Sequence, residues 1–360
     1  MIPLAELKRF EADVLVACEV PAPDAAAAAD ALVYADARGL ATHGLALLVS
    51  TFAPRLRDGT IVAASTCCCV ERAVATAILD GRGGLGPVVA TRALDLSLEL
   101  ASSAGVGAVG VRNSSHFGAA GYYTHRAAER GFVAIAATNC GTQGVVPPLR
   151  GRVRLLGTNP LSVAAPARTV PPFVLDMSST VVATGRIKAA ARAGEPVPAG
   201  WLRKPSGDAT TDPQEYVTGD AEVAWLGGEL ATGGAKGYGL AVAVDLLCGA
   251  LTGSGFGPRR AALADPAERA DDRRVGHFFV AFDPAVWSAG YVDDADELLT
   301  SVVSSPACEA PVQYAGLPED RRARHAQEEG VALPPAVLAA AEQLAQELAV
   351  APLAERAVRC

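Results

Sequence analysis

Apolar residues recur at helical spacing from the start of the chain: Leu4, Leu7, Phe10, Val14 and Leu15 predict an amphipathic helix. Pro23-Asp24 opens an alanine-rich second helix to about Arg38. Gly39 breaks it, and Ala41-Thr42-His43-Gly44 leads into a third helical segment over 45–52. The period then shortens. Residues 74–79 predict a strand, 80–86 a glycine-rich turn, 87–104 a helix and 106–111 a strand, a β-α-β pattern. Further strands are predicted at 132–138, 161–165, 173–175 and 275–282. Long apolar or amphipathic helices are predicted at 240–251 and 334–350, with loops over 192–221 and 253–274.

The stretch 111–123, VRNSSHFGAAGYY, carries the first candidate chemistry. Its pattern predicts a strand end, a cap made by Ser114 or Ser115, and a helix starting near His116 and running to Arg130. A histidine in a helix's first turn meets the positive end of the macrodipole, which disfavours the imidazolium. Such a group stays neutral near pH 7 and ready to accept a proton. His43 repeats the theme, a histidine after a helix break beside a hydroxyl and a glycine.

Composition narrows the function classes. The 360 residues are 50% hydrophobic and 19% charged, a globular balance long enough for two subdomains. A net charge of -8 with no concentrated basic segment argues against nucleic acid. The runs Arg259-Arg260, Arg273-Arg274 and 321–324 are interleaved with acids and read as solvated faces. No apolar run is long enough to span a bilayer and the N-terminus does not read as a signal peptide, so a soluble, cytoplasmic protein is expected. The eight cysteines include no C-x-x-C pair and read as reduced thiols, with no metal site expected.

Several loops gather polar groups. Gly81, Gly83 and Gly86 spell G-x-G-x-x-G, but no second strand with a ribose-binding acid follows, so they are not read as a dinucleotide fingerprint. Asn139-Cys140 ends one strand, Asn159 lies in Gly157-Thr158-Asn159-Pro160, and Asp176-Met177-Ser178-Ser179-Thr180 follows another. Lys236, one of four lysines, opens a helix in a glycine-rich setting where it could pair with an anion. His277 reads as structural or peripheral.

In order along the chain, ADARGLATHG (35–44), VRNSSHFGAAGYY (111–123), LGTNP (156–160), LDMSST (175–180), TTDP (210–213), GGAKGYGLA (233–241) and GHFFVAFDP (276–284) resemble the malate/L-lactate dehydrogenase family that lacks a Rossmann fold. That family includes ureidoglycolate, sulfolactate and diketogulonate oxidoreductases and cyclic ketimine reductases. The resemblance implies an α/β fold in which helical N- and C-terminal parts (1–72 plus 310–360, dimerising) surround a mixed-sheet, non-Rossmann nicotinamide-binding domain (73–309). It implies a homodimer, a small-molecule substrate and NAD or NADP as cofactor. By the same resemblance His116 and His43 fall on catalytic positions. Asp176, Met177, Ser178, Ser179, Thr180, Lys236 and Asn159 fall on cofactor-binding ones, and Thr42, Leu47, Thr51, Asn139 and Cys140 line the substrate side.

Hydride transfer to a carbonyl or imine carbon leaves one proton to be moved at the adjacent oxygen or nitrogen, a task that suits imidazole. His116 is the expected proton donor or acceptor, with His43 sharing that role or holding the substrate's polar end. The chain departs from the family where relatives carry a carboxylate-binding arginine and a tyrosine: Leu47 and Thr51 stand there. Arg55 and Arg57 are the next cations along. Residues 147–150 and 315–317 also differ, so a specialised, bulkier and less anionic substrate is expected rather than malate or lactate. A cyclic ketimine reductase and a non-redox family member are the alternatives.

Overall fold

The computed structural model describes residues 1–257 and 274–354. Arg259, Arg260, Arg273 and Cys360 lie outside the described residues. Ten strands are present: β1 Cys68–Arg72, β2 Thr76–Asp80, β3 Val106–Ser114, β4 Val133–Thr138, β5 Leu161–Ala165, β6 Phe173–Met177, β7 Leu202–Arg203, β8 Ala209–Thr210, β9 Glu222–Val223 and β10 Val275–Phe282. Seven form one sheet in the order β1-β2-β3-β10-β4-β5-β6. Only β2 and β3 pair in parallel, across the crossover helix Gly86–Ala104; every other neighbour is antiparallel. This mixed sheet is not a doubly wound dinucleotide fold, whose strands run mostly parallel.

Three hydrophobic cores position the site. The helices Leu4–Ala17 and Ala22–Ala37 bury Leu7, Phe10, Val14 and Leu32 with Phe52, and helix Pro335–Leu348 closes the same core through Ala341, Leu344 and Ala345. A second core lies between the sheet and the helices Gly86–Ala104 and Ala120–Glu129, around Val109, Phe117, Tyr123 and Phe279. The third gathers Val182, Ile187, Leu202, Tyr216 and Trp225 about a small sheet of order β8-β7-β9, whose strands β7 and β8 fall inside the stretch expected to be loop. Such two-residue strands give too short an alternation to register as a pattern. Among the described residues no helix is long and apolar enough to cross a membrane.

One local expectation is corrected. β3 continues through Ser114, and the next helix begins at Ala120, not near His116. Neither Ser114 nor Ser115 caps it: Ser114 Oγ bonds the His277 ring, and Ser115 Oγ accepts the Gly86 N–H at 2.8 Å. The residues between strand and helix run as an irregular turn, and His116 stands in it.

Candidate active site

His43 and His116 come from different cores and meet. His43 lies on the turn between helix Ala22–Ala37 and the helical run 45–57, a run with a π-helical turn at Leu48–Phe52. Its own N–H donates to the Leu40 carbonyl at 2.8 Å, and Nδ1 sits 2.8 Å from the Thr42 hydroxyl. The ring centroids of His43 and His116 are 5.6 Å apart, and Phe52 closes the other side of His116 at 6.5 Å.

The glycines of 81–86 hold the His116 turn. The N–H groups of Gly81 and Gly83 donate to the carbonyls of Arg112 and Asn113 at 2.8 and 2.7 Å. Gly86 approaches so closely that a Cβ there would fall 2.1 Å from the His116 carbonyl oxygen. Their use is backbone proximity to a loop. Beneath the turn lies His277, fully buried, bonded through Nε2 to Ser114 Oγ (2.9 Å) and through Nδ1 to Thr138 Oγ1 (2.7 Å), its ring stacked on Phe117 at 4.7 Å. It is structural and not peripheral.

The macrodipole is not what neutralises His116. Its side chain is exposed, yet the protein packed against the ring desolvates it and pushes it down to about 3; positive charge on His43, His277 and Arg55 pushes the same way. Burial also lowers His43, to about 4. The Gly118 N–H donates to His116 Nδ1 at 3.0 Å. A neutral His116 so held carries its proton on Nε2.

A second group of expected site residues forms one buried network. Asn139 donates to Asp245 Oδ1 (2.9 Å) and the Gly255 carbonyl (2.7 Å), while its oxygen accepts from Gly141 and Gly276. Asn159 donates to the other Asp245 oxygen (3.0 Å) and to the Ala241 carbonyl (2.8 Å). The thiol of Cys140 takes backbone bonds from Thr158 and Asn159, and burial pushes it up. Asn139 and Asn159 therefore tie two strand ends to helix Gly234–Asp245; apart from Asn159 Oδ1, their side-chain polar atoms are engaged.

The 176–180 segment is likewise partly structural. Ser179 Oγ donates to the Thr158 carbonyl, Thr180 Oγ1 to the Val182 carbonyl, and Ser178 Oγ lies 3.0 Å from Thr180 Oγ1. Met177 is half-buried at the end of β6, and Lys236 is exposed in the first turn of its helix. Asp176 differs. Its Oδ2 accepts the Gly121 N–H at 2.8 Å, at the start of helix Ala120–Glu129; the residue keeps an exposed face, while desolvation by the protein around it pushes its carboxyl up to about 6.

Asp176 walls a cavity of about 130 Å³ with Tyr34, Arg38, His125, Ala315-Gly316, Glu319 and Asp320. His125 escaped the sequence reading because a lone histidine inside a predicted helix carries no signal. It lies 3.4 Å from Arg38, which stacks 3.8 Å over the Tyr34 ring. Leu47, expected on the substrate side, is 7% exposed and belongs to the helical core; an apolar side chain on that buried face packs inward. Thr51 is half-buried one turn on, and Thr42 packs against Gly185 of helix Thr184–Ala193, closing the cleft toward the third core.

Comparison with known proteins places the chain in a family. The family model described as malate/L-lactate dehydrogenase matches residues 2–341. The (2R)-3-sulfolactate dehydrogenase (NADP(+)) of Chromohalobacter salexigens is 36% identical over 311 residues, 86% of this chain and 89% of that protein. The malate dehydrogenase of Pyrococcus abyssi is 38% identical over 283 residues, 78% and 75% of the two chains. The crystal structure of malate dehydrogenase from Entamoeba histolytica superposes with a TM-score of 0.90 at 27% identity, covering 97% of this chain and 98% of its own. The chain belongs to the malate/L-lactate dehydrogenase family. It is an enzyme of the dehydrogenase class.

Proposed function

We propose that this enzyme moves a hydride between a nicotinamide cofactor, NAD or NADP, and the carbonyl carbon of a 2-oxo acid or the matching hydroxy acid. The observation that carries the reading is the His43–His116 pair, two imidazoles 5.6 Å apart, with His116 exposed and its Nδ1 already occupied. The residues fit a dinucleotide. The turn at Gly118 leaves open space where a side chain would stand, and a cavity of mixed polar and apolar lining adjoins the strand end at Asp176. Asp176 and the 177–180 turn would hold the cofactor, with Lys236 near its phosphates; when bound, the reduced nicotinamide supplies the hydride.

The protein's part is positioning and the proton. His116 presents Nε2–H to the substrate oxygen as a fixed hydrogen-bond donor, a role suited to a neutral imidazole. His43 is free of such a backbone lock. Its Nδ1 can donate to Thr42, which leaves Nε2 to exchange the proton with the substrate. Arg55 supplies the positive charge that an anionic substrate needs. It is half-buried on the helical turn after Phe52, and its charge reaches His116.

In the cavity Glu319 and Asp320 are paired with Arg322 and Arg324 at 2.9 Å, which leaves Asp176 as the carboxylate acceptor for a ribose diol rather than a 2′-phosphate, and so favours NAD over NADP. A homodimer is part of the reading. Leu246 and Leu251 stand 59% and 62% exposed beside the site helix, an apolar face that a second copy would cover. Consumption of reduced cofactor against a panel of 2-oxo acids and cyclic imines tests the reaction: turnover of an oxo acid supports it, turnover of imines alone makes it a ketimine reductase, and none with either removes it.

A further inference from the structure

The turn that carries His43 is tied to a carboxyl group that the reaction does not touch. Asp36, in the last turn of helix Ala22–Ala37, is 8% exposed, and its Oδ2 accepts the backbone N–H of Leu45 at 2.8 Å. Leu45 is the first residue of the helical run after His43, so this bond spans the turn from one side of the histidine to the other. Gly44 lies directly on the carboxyl: a Cβ there would fall 2.1 Å from Asp36 Cγ. The backbone bonds from Gly39 to Asp36 (3.1 Å) and from Leu40 to Ala35 (2.8 Å) close the other end of the turn.

Glu11, from helix Leu4–Ala17, feels the charge of Asp36. It is fully buried, and neither carboxyl oxygen has a hydrogen-bond partner among the described residues. Burial, and then the neighbouring Asp36, push Glu11 well above the usual carboxylate range. Burial raises Asp36 to about 7 against the lowering effect of the Leu45 bond. Burial thus disfavours the charged form of both carboxyls. A buried, unpartnered acid costs folding free energy, so its presence under this turn asks for an explanation.

We infer that Asp36 is a positioning residue for His43: its acceptor oxygen fixes where the helical run begins, and so where the histidine's backbone stands. The bond needs an acceptor and a close glycine, not a charge. The inference rests on the role given to His43 above. An error of about 1 Å in a reacting group is enough to cost on the order of 100-fold in rate.

Three substitutions separate acceptor, volume and fold. Asp36→Leu keeps the branched shape and removes the acceptor, so kcat should fall about 10- to 100-fold while the Kd for reduced cofactor, read by fluorescence titration, stays within about twofold. Asp36→Asn keeps an acceptor and should restore most of that loss. If Asp36→Leu does not fold, Asp36→Ala is read the same way. Equal kcat in the Leu and Asn variants, or a loss matched by weaker cofactor binding, overturns the inference, as does failure of both Leu and Ala variants to fold, which would make Asp36 a determinant of the fold alone. His43→Ala serves as reference: if it keeps full kcat, the role of His43 has failed; if it loses kcat while Asp36→Leu does not, only the positioning inference has.

Discussion

The amide hydrogen of Gly118 points at Nδ1 of His116 across 3.0 Å, and this one bond decides which nitrogen of the ring can face a substrate. With Nδ1 accepting, the neutral ring carries its proton on Nε2, and desolvation resists a second proton until pH approaches about 3. Nitrogen-15 spectra of the resting enzyme should show the Nε2–H tautomer at pH 7 and no imidazolium signal for His116 at pH 5. An Nδ1–H tautomer would return the proton-carrying role to His116.

His277 makes a stability prediction. Its pKa is depressed to about 3, chiefly by burial. A histidine held neutral in the folded state is fully stabilised above the unfolded value of about 6.5. As pH falls below that value the unfolded chain takes the proton first, so this stability is lost progressively until the folded pKa is reached. Replacing His277 by Gln removes the titration. The Tm advantage of the wild type over His277→Gln should therefore shrink between about pH 6.5 and 3; a constant gap would show that the ring does not titrate this way.

Arg55→Ala should raise KM for an anionic oxo acid about 10- to 100-fold with a smaller change in kcat, as expected for a lost charge-assisted contact. A neutral ketone substrate should be indifferent to it. Equal effects on both substrates would place Arg55 in the structure rather than against the substrate.

Gly86→Ala probes the contact beneath the histidine turn. The added methyl would collide with the His116 carbonyl at 2.1 Å, and both partners are backbone, so the turn must move. A stability loss of about 1–3 kcal/mol is expected from such overpacking, together with at least about a tenfold loss of kcat from the displaced ring. Unchanged kinetics in the folded variant would show that the turn tolerates displacement.

Cofactor choice is read at Asp176. The wild type should prefer NADH to NADPH in kcat/KM. Asp176→Asn, which keeps an acceptor for the Gly121 N–H but drops the charge, should narrow that preference. A wild type that prefers NADPH would assign Arg38 to a 2′-phosphate instead.

Helices with a clear apolar stripe, such as Leu4–Ala17, and strands with sustained apolar runs, such as β3 and β10, were legible from the pattern of residues, since burial on one face leaves a period behind. The irregular turn around His116 was not. Asn113-Ser114-Ser115 has the composition of a cap, but tertiary partners, Gly86 and His277, claim the hydroxyls first. The two histidines were visible as candidates, whereas Asp36 and Asp245 were not. Their work is to accept bonds from residues nine and more positions away, a relation that no local spacing records.

The central claim, a nicotinamide-dependent hydride transfer organised by His43 and His116, is tested most directly by a single comparison. Reduced cofactor is mixed with an oxo-acid panel and either the wild type or His116→Ala, and its oxidation is followed alongside its binding. The account predicts turnover by the wild type on at least one oxo acid, and loss of turnover by about 100-fold or more in His116→Ala with cofactor binding kept. Full turnover by His116→Ala on the same substrate would contradict it.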